Sequence, residues 1–186
     1  METGQPADLA VARVARDSCR RLIAYLASRS GSIADAEDAL AEAFRAALET
    51  WPRSGTPQNP EAWLYTTAKR RLIDANRHHA VHTGYAAELL AVADEAVEST
   101  KESAVFPDER IKLMFVCAHP AIDVAARTPL MLQVVLGLDA ADIASAFLVK
   151  PATMGQRLSR AKAKIRDAGI AYDVPGQESL AERLDA

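Results

Sequence analysis

The chain of 186 residues is short of helix-breaking residues: it holds only 8 glycines and 9 prolines, and no run of alternating β-branched residues occurs. Nothing in it therefore reads as a sheet. Its two cysteines, Cys19 and Cys117, are too few for a disulfide framework and fit a reducing compartment. No stretch of about 20 apolar residues is available to span a bilayer. Met1–Asp8 is polar and no apolar segment follows it, so a signal peptide is not expected. These absences leave a cytoplasmic, all-α protein without a membrane partner as the expectation.

What the chain does have is alanine, leucine, arginine and glutamate at helical spacing, with 49% hydrophobic residues to build a core. Residues 9–82 form a first helical block from "RRLIAYLASRS", "SIADAEDALAEAFRAALETW" and "NPEAWLYTTAKRRLIDANRHH". In the middle segment Ala36, Leu40, Phe44, Ala47 and Leu48 share one face, ringed by Asp35, Glu37, Asp38 and Glu42. Ser32 is its expected N-cap, and the prolines and glycine of "WPRSGTPQNPEAW" should stop it. Asn59 should cap the next helix, with Pro60 at its first position.

Residues 83–107 read as an acidic linker. Between His82 and Glu109, seven acids oppose Lys101 alone, a local balance of −6. A second block, 108–169, starts with the helix "DERIKLMFVCA", ended by "HPAID". "VAARTPLMLQVVLGL" is either kinked at Pro129 or starts afresh with Thr128 as its cap. "DAADIASAF", the short "LVK" and "KPATMGQRLSRAKAKIRDAG" follow. Gly169 caps the basic helix, and residues 170–186 are a tail in which Pro175-Gly176 turns the chain and "QESLAERLDA" starts a new amphipathic helix.

The functional signal lies in the basic helix. In a chain of net charge −3, Lys150, Arg157, Arg160, Lys162, Lys164 and Arg166 stand against Asp167 alone between residues 150 and 167. Met154, Leu158, Ala161 and Ile165 fall on one stripe that must face a core, leaving Gln156, Ser159 and Arg160 opposite and Thr153 near the edge. The preceding short helix should turn Ile143, Ala144 and Phe147 inward. Two helices joined so tightly, the second basic and polar outward, make a helix-turn-helix. Its first turn can enter the major groove, where Gln and Arg bond base edges, while Lys150, Lys162 and Lys164 meet phosphates. The plainer alternative is an amphipathic helix with solvating cations, but the coincidence of cations and tight turn favours DNA.

A second basic patch, Lys69, Arg70, Arg71 and Arg77, lies on the helix that opens with Trp63 and Tyr65. Cations beside aromatics suit an unpaired strand, although Trp63 and Leu64 could equally be core. An enzyme is the rival class. His78, His79 and His82, or Cys117 with His119, could be invoked as metal ligands. No H-E-x-x-H, P-loop, C-x-x-C or nucleophile–base pair accompanies them. The expectation is no catalysis, no cofactor and no metal.

From about Arg20 to Gly169 the chain resembles a bacterial RNA polymerase sigma factor of the extracytoplasmic-function type. "DAEDALAEAFRAALETW" is similar to that family's polymerase-gripping helix. "AWLYTTAKRRLIDANR" is similar to its helix for melting and reading the −10 element. "GLDAADIASAFLVKPATMGQRLSRAKAKIRDA" is similar to its helix-turn-helix for the −35 element. The resemblance implies core RNA polymerase, through the largest-subunit clamp and the flap, and promoter DNA as partners. It allows an anti-sigma factor, or a C-terminal extension of the chain itself, as regulator.

Residue roles follow from the same likeness. Glu37, Asp38, Leu40, Glu42 and Phe44 would bind polymerase, Leu40 and Phe44 being as much core as contact. Trp63, Lys69, Arg70, Arg71, Asn76 and Arg77 would serve the −10 element, and the loop Pro52–Glu61 would trap a flipped base. Gly155, Gln156, Ser159 and Arg160 match positions facing −35 bases, with Thr153 beside them. Lys150, Lys162 and Lys164 would meet phosphates, and Arg157 a phosphate or an acidic neighbour. Three departures stand out: Arg70 replaces a frequent asparagine, Leu148 stands where the turn usually has glycine and implies a different turn geometry, and Gly155 offers no side chain to read with. The runner-up is a stand-alone helix-turn-helix regulator of duplex DNA.

Overall fold

The computed structural model describes residues 5–83, 106–176, 180 and 183, of which 5–7 and 76–83 by their backbone alone. The expected linker, residues 83–107, lies almost wholly outside them. Among the described residues every regular element is helical and no strand occurs. The described residues group into two compact units. One holds the first helix as far as Leu22, the second from Asp35, and the third together with Phe106. The other holds Ile23–Ala34, inside the stretch that the sequence assigns to the first block, and the residues from Pro107 onward.

The first unit takes α1 (Gln5–Ser30) as far as Leu22, α2 (Ile33–Ser54) from Asp35 and α3 (Pro60–Thr83), and each turns an apolar face inward. Val11, Val14 and Leu22 of α1 are buried, as are Ala36, Leu40, Ala43, Ala47 and Trp51 of α2 and Leu64, Tyr65, Ala68 and Leu72 of α3. The α2 spacings of three and four residues are those of one helical stripe. One expectation for α2 needs correction. Leu48 is not on the buried face but 46% exposed, because the stripe drifts to Ala47 and Trp51. The helix ends at Ser54, inside the stretch "WPRSGTPQNPEAW" expected to stop it. A proline so near the end removes one intrahelical bond, and the left-handed Gly55 (φ 85°) closes the helix, its N–H bonding Trp51 O at 2.9 Å.

Asn59 caps α3 as expected, its Oδ1 accepting from Ala62 N–H at 3.0 Å, with Pro60 at the first helical position. Glu61 in that first turn ties α3 to α1: its carboxylate accepts from Ser18 Oγ and from Arg21 Nη2, the latter at 2.5 Å.

Besides Ile23–Ala34, the second unit holds α4 (Arg110–Cys117), α5 (Val124–Met131), α6 (Ala140–Ala146) and α7 (Pro151–Asp167). Asp123 caps α5, accepting from Ala125 N–H at 2.8 Å, so the helix begins at Val124 and passes through Pro129. A π-helical segment, Leu132–Leu136, follows and ends at the left-handed Gly137. Asp139 caps α6 through Ala141 N–H at 2.7 Å. Ile143 and Ala144 are buried as expected, but Phe147 is 38% exposed, since it lies past the last turn where the chain leaves its helical path. Gly169 closes α7 as expected, with Ile170 N–H reaching Ile165 O at 3.1 Å and Ile170 buried.

Leu148 overturns the expectation of a different turn. It takes φ 54°, the left-handed conformation for which glycine is suited, and its side chain is 94% exposed. A non-glycine residue there costs about 1–2 kcal/mol. Glycine gives back part of that gain by roughly 0.5–1 kcal/mol through unfolded-state entropy. Leu148→Gly should therefore raise stability by up to about 1.5 kcal/mol, read as a higher midpoint in urea unfolding. A lower midpoint would show that the leucine side chain contributes something its exposure conceals.

Candidate nucleic-acid interface

The buried stripe of α7 decides what the helix offers outward. Met154, Leu158, Ala161 and Ile165 are all buried, so Thr153, Gln156, Ser159 and Arg160 emerge exposed on the other side. Lys150 and Lys164 are exposed, and Arg157 and Lys162 half-buried. Gly155 is open: a Cβ built on it would meet no atom within 4 Å. The basic helix thus presents its polar residues along one strip, with Lys150 at its start.

That strip is one wall of a cleft of about 420 Å³. Thr153, Gln156, Arg157, Arg160 and Lys164 line it from α7, while Ala121, Ile122, Asp123 and Ala126 line it from the start of α5 and the loop before. Three cations, Arg157, Arg160 and Lys164, line the cleft together with one carboxylate, Asp123, whose Oδ1 caps α5. The sequence reading missed this second wall, although Asp123 ahead of "VAAR" is a recognisable N-cap. Two arginines brace it through main-chain carbonyls. Arg127 donates to Ile122 O at 3.0 Å and Pro120 O at 3.3 Å, and Arg157 donates to Ala125 O at 3.2 Å. Arg157, expected on a phosphate or an acidic neighbour, thus has a backbone partner. A cleft rich in cations beside a strip of hydrogen-bonding side chains suits a polyanion whose bases carry donors and acceptors.

On α3, Arg70 and Arg71 are exposed and Lys69 is half-buried. Asn76 and Arg77 lie on the helix, but their side chains are outside the described residues, as are those of His78, His79 and His82. Trp63 is half-buried and meets Trp51 edge to face, with centroids 5.5 Å apart and planes at 71°. The two indoles flank the loop from Gly55 to Asn59. Tyr65 is not the exposed aromatic that the sequence reading paired with Trp63: it is buried, its ring 4.9 Å from that of Phe106.

On α2, Asp38 and Glu42 are exposed, Glu37 and Phe44 half-buried, and Leu40 is core at 1% exposure. Arg45 bridges Glu42 at 2.7 Å and Glu49 at 2.6 Å. Its hydrogen bond holds the Glu42 carboxyl below the usual range.

Cys117 and His119 make no metal site with a third ligand. Among the described residues no three His, Cys, Asp or Glu side chains gather, and His119 Nδ1 accepts from Ala121 N–H at 3.1 Å. Burial pushes the Cys117 thiol up to about 12, against the opposing pull of Lys162. The sign follows directly. A thiol whose pKa is raised on folding contributes stability that is complete below the unfolded value near 9 and is lost as pH climbs towards 12. Urea stability of the parent should thus fall more steeply than that of Cys117→Ala between pH 9 and 11. Parallel curves would mean that the thiol ionises as freely folded as unfolded.

Comparison with known families agrees with this geometry. A family model described as Sigma-70 region 2 matches residues 15–81, and one described as Sigma-70, region 4 matches residues 113–165. An uncharacterized protein of Rhizobium meliloti (strain 1021) is 39% identical over 155 residues, a match covering 81% of this chain and 37% of that protein. The chain therefore spans little more than a third of that relative's length. No solved structure matches. No described helix is long and apolar enough to cross a membrane. With both regions present in order and together spanning more than half of its length, the chain belongs to the sigma-70 family, as a sigma factor of the extracytoplasmic-function type.

Proposed function

We propose that this protein is a promoter-specificity subunit that binds core RNA polymerase and directs it to defined promoters, with no catalysis of its own. The observation that carries the reading is the outward strip of α7, with Gln156 and Arg160 exposed on a helix-turn-helix in a chain matched by both sigma regions. In this reading Gln156 and Arg160 read −35 bases, and Lys150, Lys162 and Lys164 serve phosphates. Residues 9–82 form the domain for polymerase and the −10 element, residues 83–107 the linker, and residues 108–169 the −35 domain. The exposed acids of α2 and its half-buried Phe44 face the largest-subunit clamp, and the second unit faces the flap. The exposed arginines of α3 and the loop between Trp51 and Trp63 act on the −10 strand, where cations and aromatic faces suit unpaired bases.

Regulation is assigned to an anti-sigma factor or to sequence beyond α7. Support for the second comes from the tail: Leu180 and Arg183 are helical, and Arg183 Nη1 donates to Phe115 O of α4 at 3.3 Å.

Run-off transcription of a genomic library with core enzyme plus this protein tests the central reading. Initiation at a defined set of promoters is expected, and failure to bind core enzyme at any salt concentration would remove it. A protein that bound palindromic duplexes without polymerase would be a stand-alone regulator instead. Within the reading, Arg160→Ala should weaken a good −35 site by about 1–3 kcal/mol and relax preference at one position. Lys164→Ala should weaken all sites alike and lower the salt slope. An unchanged −35 preference for Arg160→Ala in a randomised-promoter selection would show that α7 docks differently.

A further inference from the structure

Pro129 is the sixth residue of α5 and has no N–H. The carbonyl four residues earlier, that of Ala125, therefore loses the donor an uninterrupted α-helix would supply. Main-chain carbonyls deprived of a helical partner need another. Arg157, 32 residues along the chain, supplies one: its Nη1 donates to Ala125 O at 3.2 Å. Ala126 and Arg157 both line the cleft, so the bond crosses between its walls. On α7, Arg157 directly follows Gln156 and sits three residues before Arg160.

We propose that Arg157 is a positioning residue: its guanidinium fills the hydrogen-bonding gap left by Pro129 and clamps α7 to α5, setting the angle at which Gln156 and Arg160 leave the surface. The proposal deepens the DNA reading of α7 and rests on it for its functional consequence, while the clamp itself is independent of DNA. It moves Arg157 out of the phosphate-contacting set. An alanine at 129 would supply Ala125 O with a donor from within α5 and so weaken its need for Arg157.

Hydrogen–deuterium exchange of the full chain tests the clamp directly. Four proteins are compared: the parent, Arg157→Ala, Pro129→Ala and the double variant. Arg157→Ala should speed exchange in α5 and α7 several-fold. In the Pro129→Ala background the same substitution should have less than half that effect, because residue 129 then donates to Ala125 O. An equal effect in both backgrounds would overturn the clamp. Should Pro129→Ala not fold, Arg157→Lys decides, since it keeps a donor of similar reach. Exchange near the parent's is expected, and a rise matching the alanine variant's would refute the proposal.

A second arm measures binding to a random-sequence duplex over a range of salt. The slope of Arg157→Ala should equal the parent's, whereas loss of a phosphate contact would lower it by about 0.9. A lowered slope would return Arg157 to the phosphate set and overturn the proposal. If the parent bound no duplex at any salt, either alone or with core enzyme, the DNA reading of α7 would fall, and the exchange comparison would still decide the clamp.

Discussion

Burial of one stripe of α7 governs what the second unit can do. Met154, Leu158, Ala161 and Ile165 have to leave water, and a helix has only one face at that spacing. Once they are packed, the opposite residues have no freedom to turn inward, and a row of polar and cationic side chains is presented to solvent. α6 and α5 supply the surface that receives the stripe. Asp123 and Asp139 each start one of those helices by satisfying a main-chain N–H that its first turn would leave orphaned. The left-handed Leu148 lets the chain reverse between α6 and α7 within a few residues.

The irregular places in this unit cluster around the same framework. Pro129, the π-helical Leu132–Leu136 and Leu148 each depart from ideal backbone geometry. Each departure is local and is met by a nearby partner or cap: Arg157 on Ala125 O, Gly137 after the π segment, and Val149 N–H on Ala144 O at 2.9 Å beyond the strained leucine. Strain of this kind survives only where surrounding packing over-determines it. Of the three, Leu148 lies in the turn of the helix-turn-helix itself.

The first unit uses a different economy of parts. Its α2 stripe is mostly alanine, which allows helices to approach closely, and bulk is concentrated in Trp51 at the end. Trp51 then meets Trp63 across the loop, while Asn59 and Glu61 anchor the start of α3. A short loop with both ends held by packing and capping is well placed to present backbone and side chains without collapsing. Rigid surroundings with an exposed connection are where binding residues are commonly found.

Much of this was legible in the residue pattern. Period and composition were enough for an all-helical chain, for the α7 stripe residue by residue, for the Asn59–Pro60 start of α3 and for the Gly169 cap, because each depends on neighbours within a turn or two. The same locality made the basic helix and tight turn readable as a nucleic-acid element. Other features hinge on residues far apart in the chain or on backbone angles that no pattern encodes. Leu48 reads as apolar yet faces outward, since the buried stripe runs through Ala47 and Trp51 instead. Tyr65 reads as a stacking aromatic until Phe106, 41 positions on, covers it. Asp123 and Arg157 become parts of one cleft only when α5 and α7 are brought together. Local chemistry determined which segments are helices and where they are capped. Tertiary packing alone decided which faces are spent on the core, and hence which side chains remain to meet a partner.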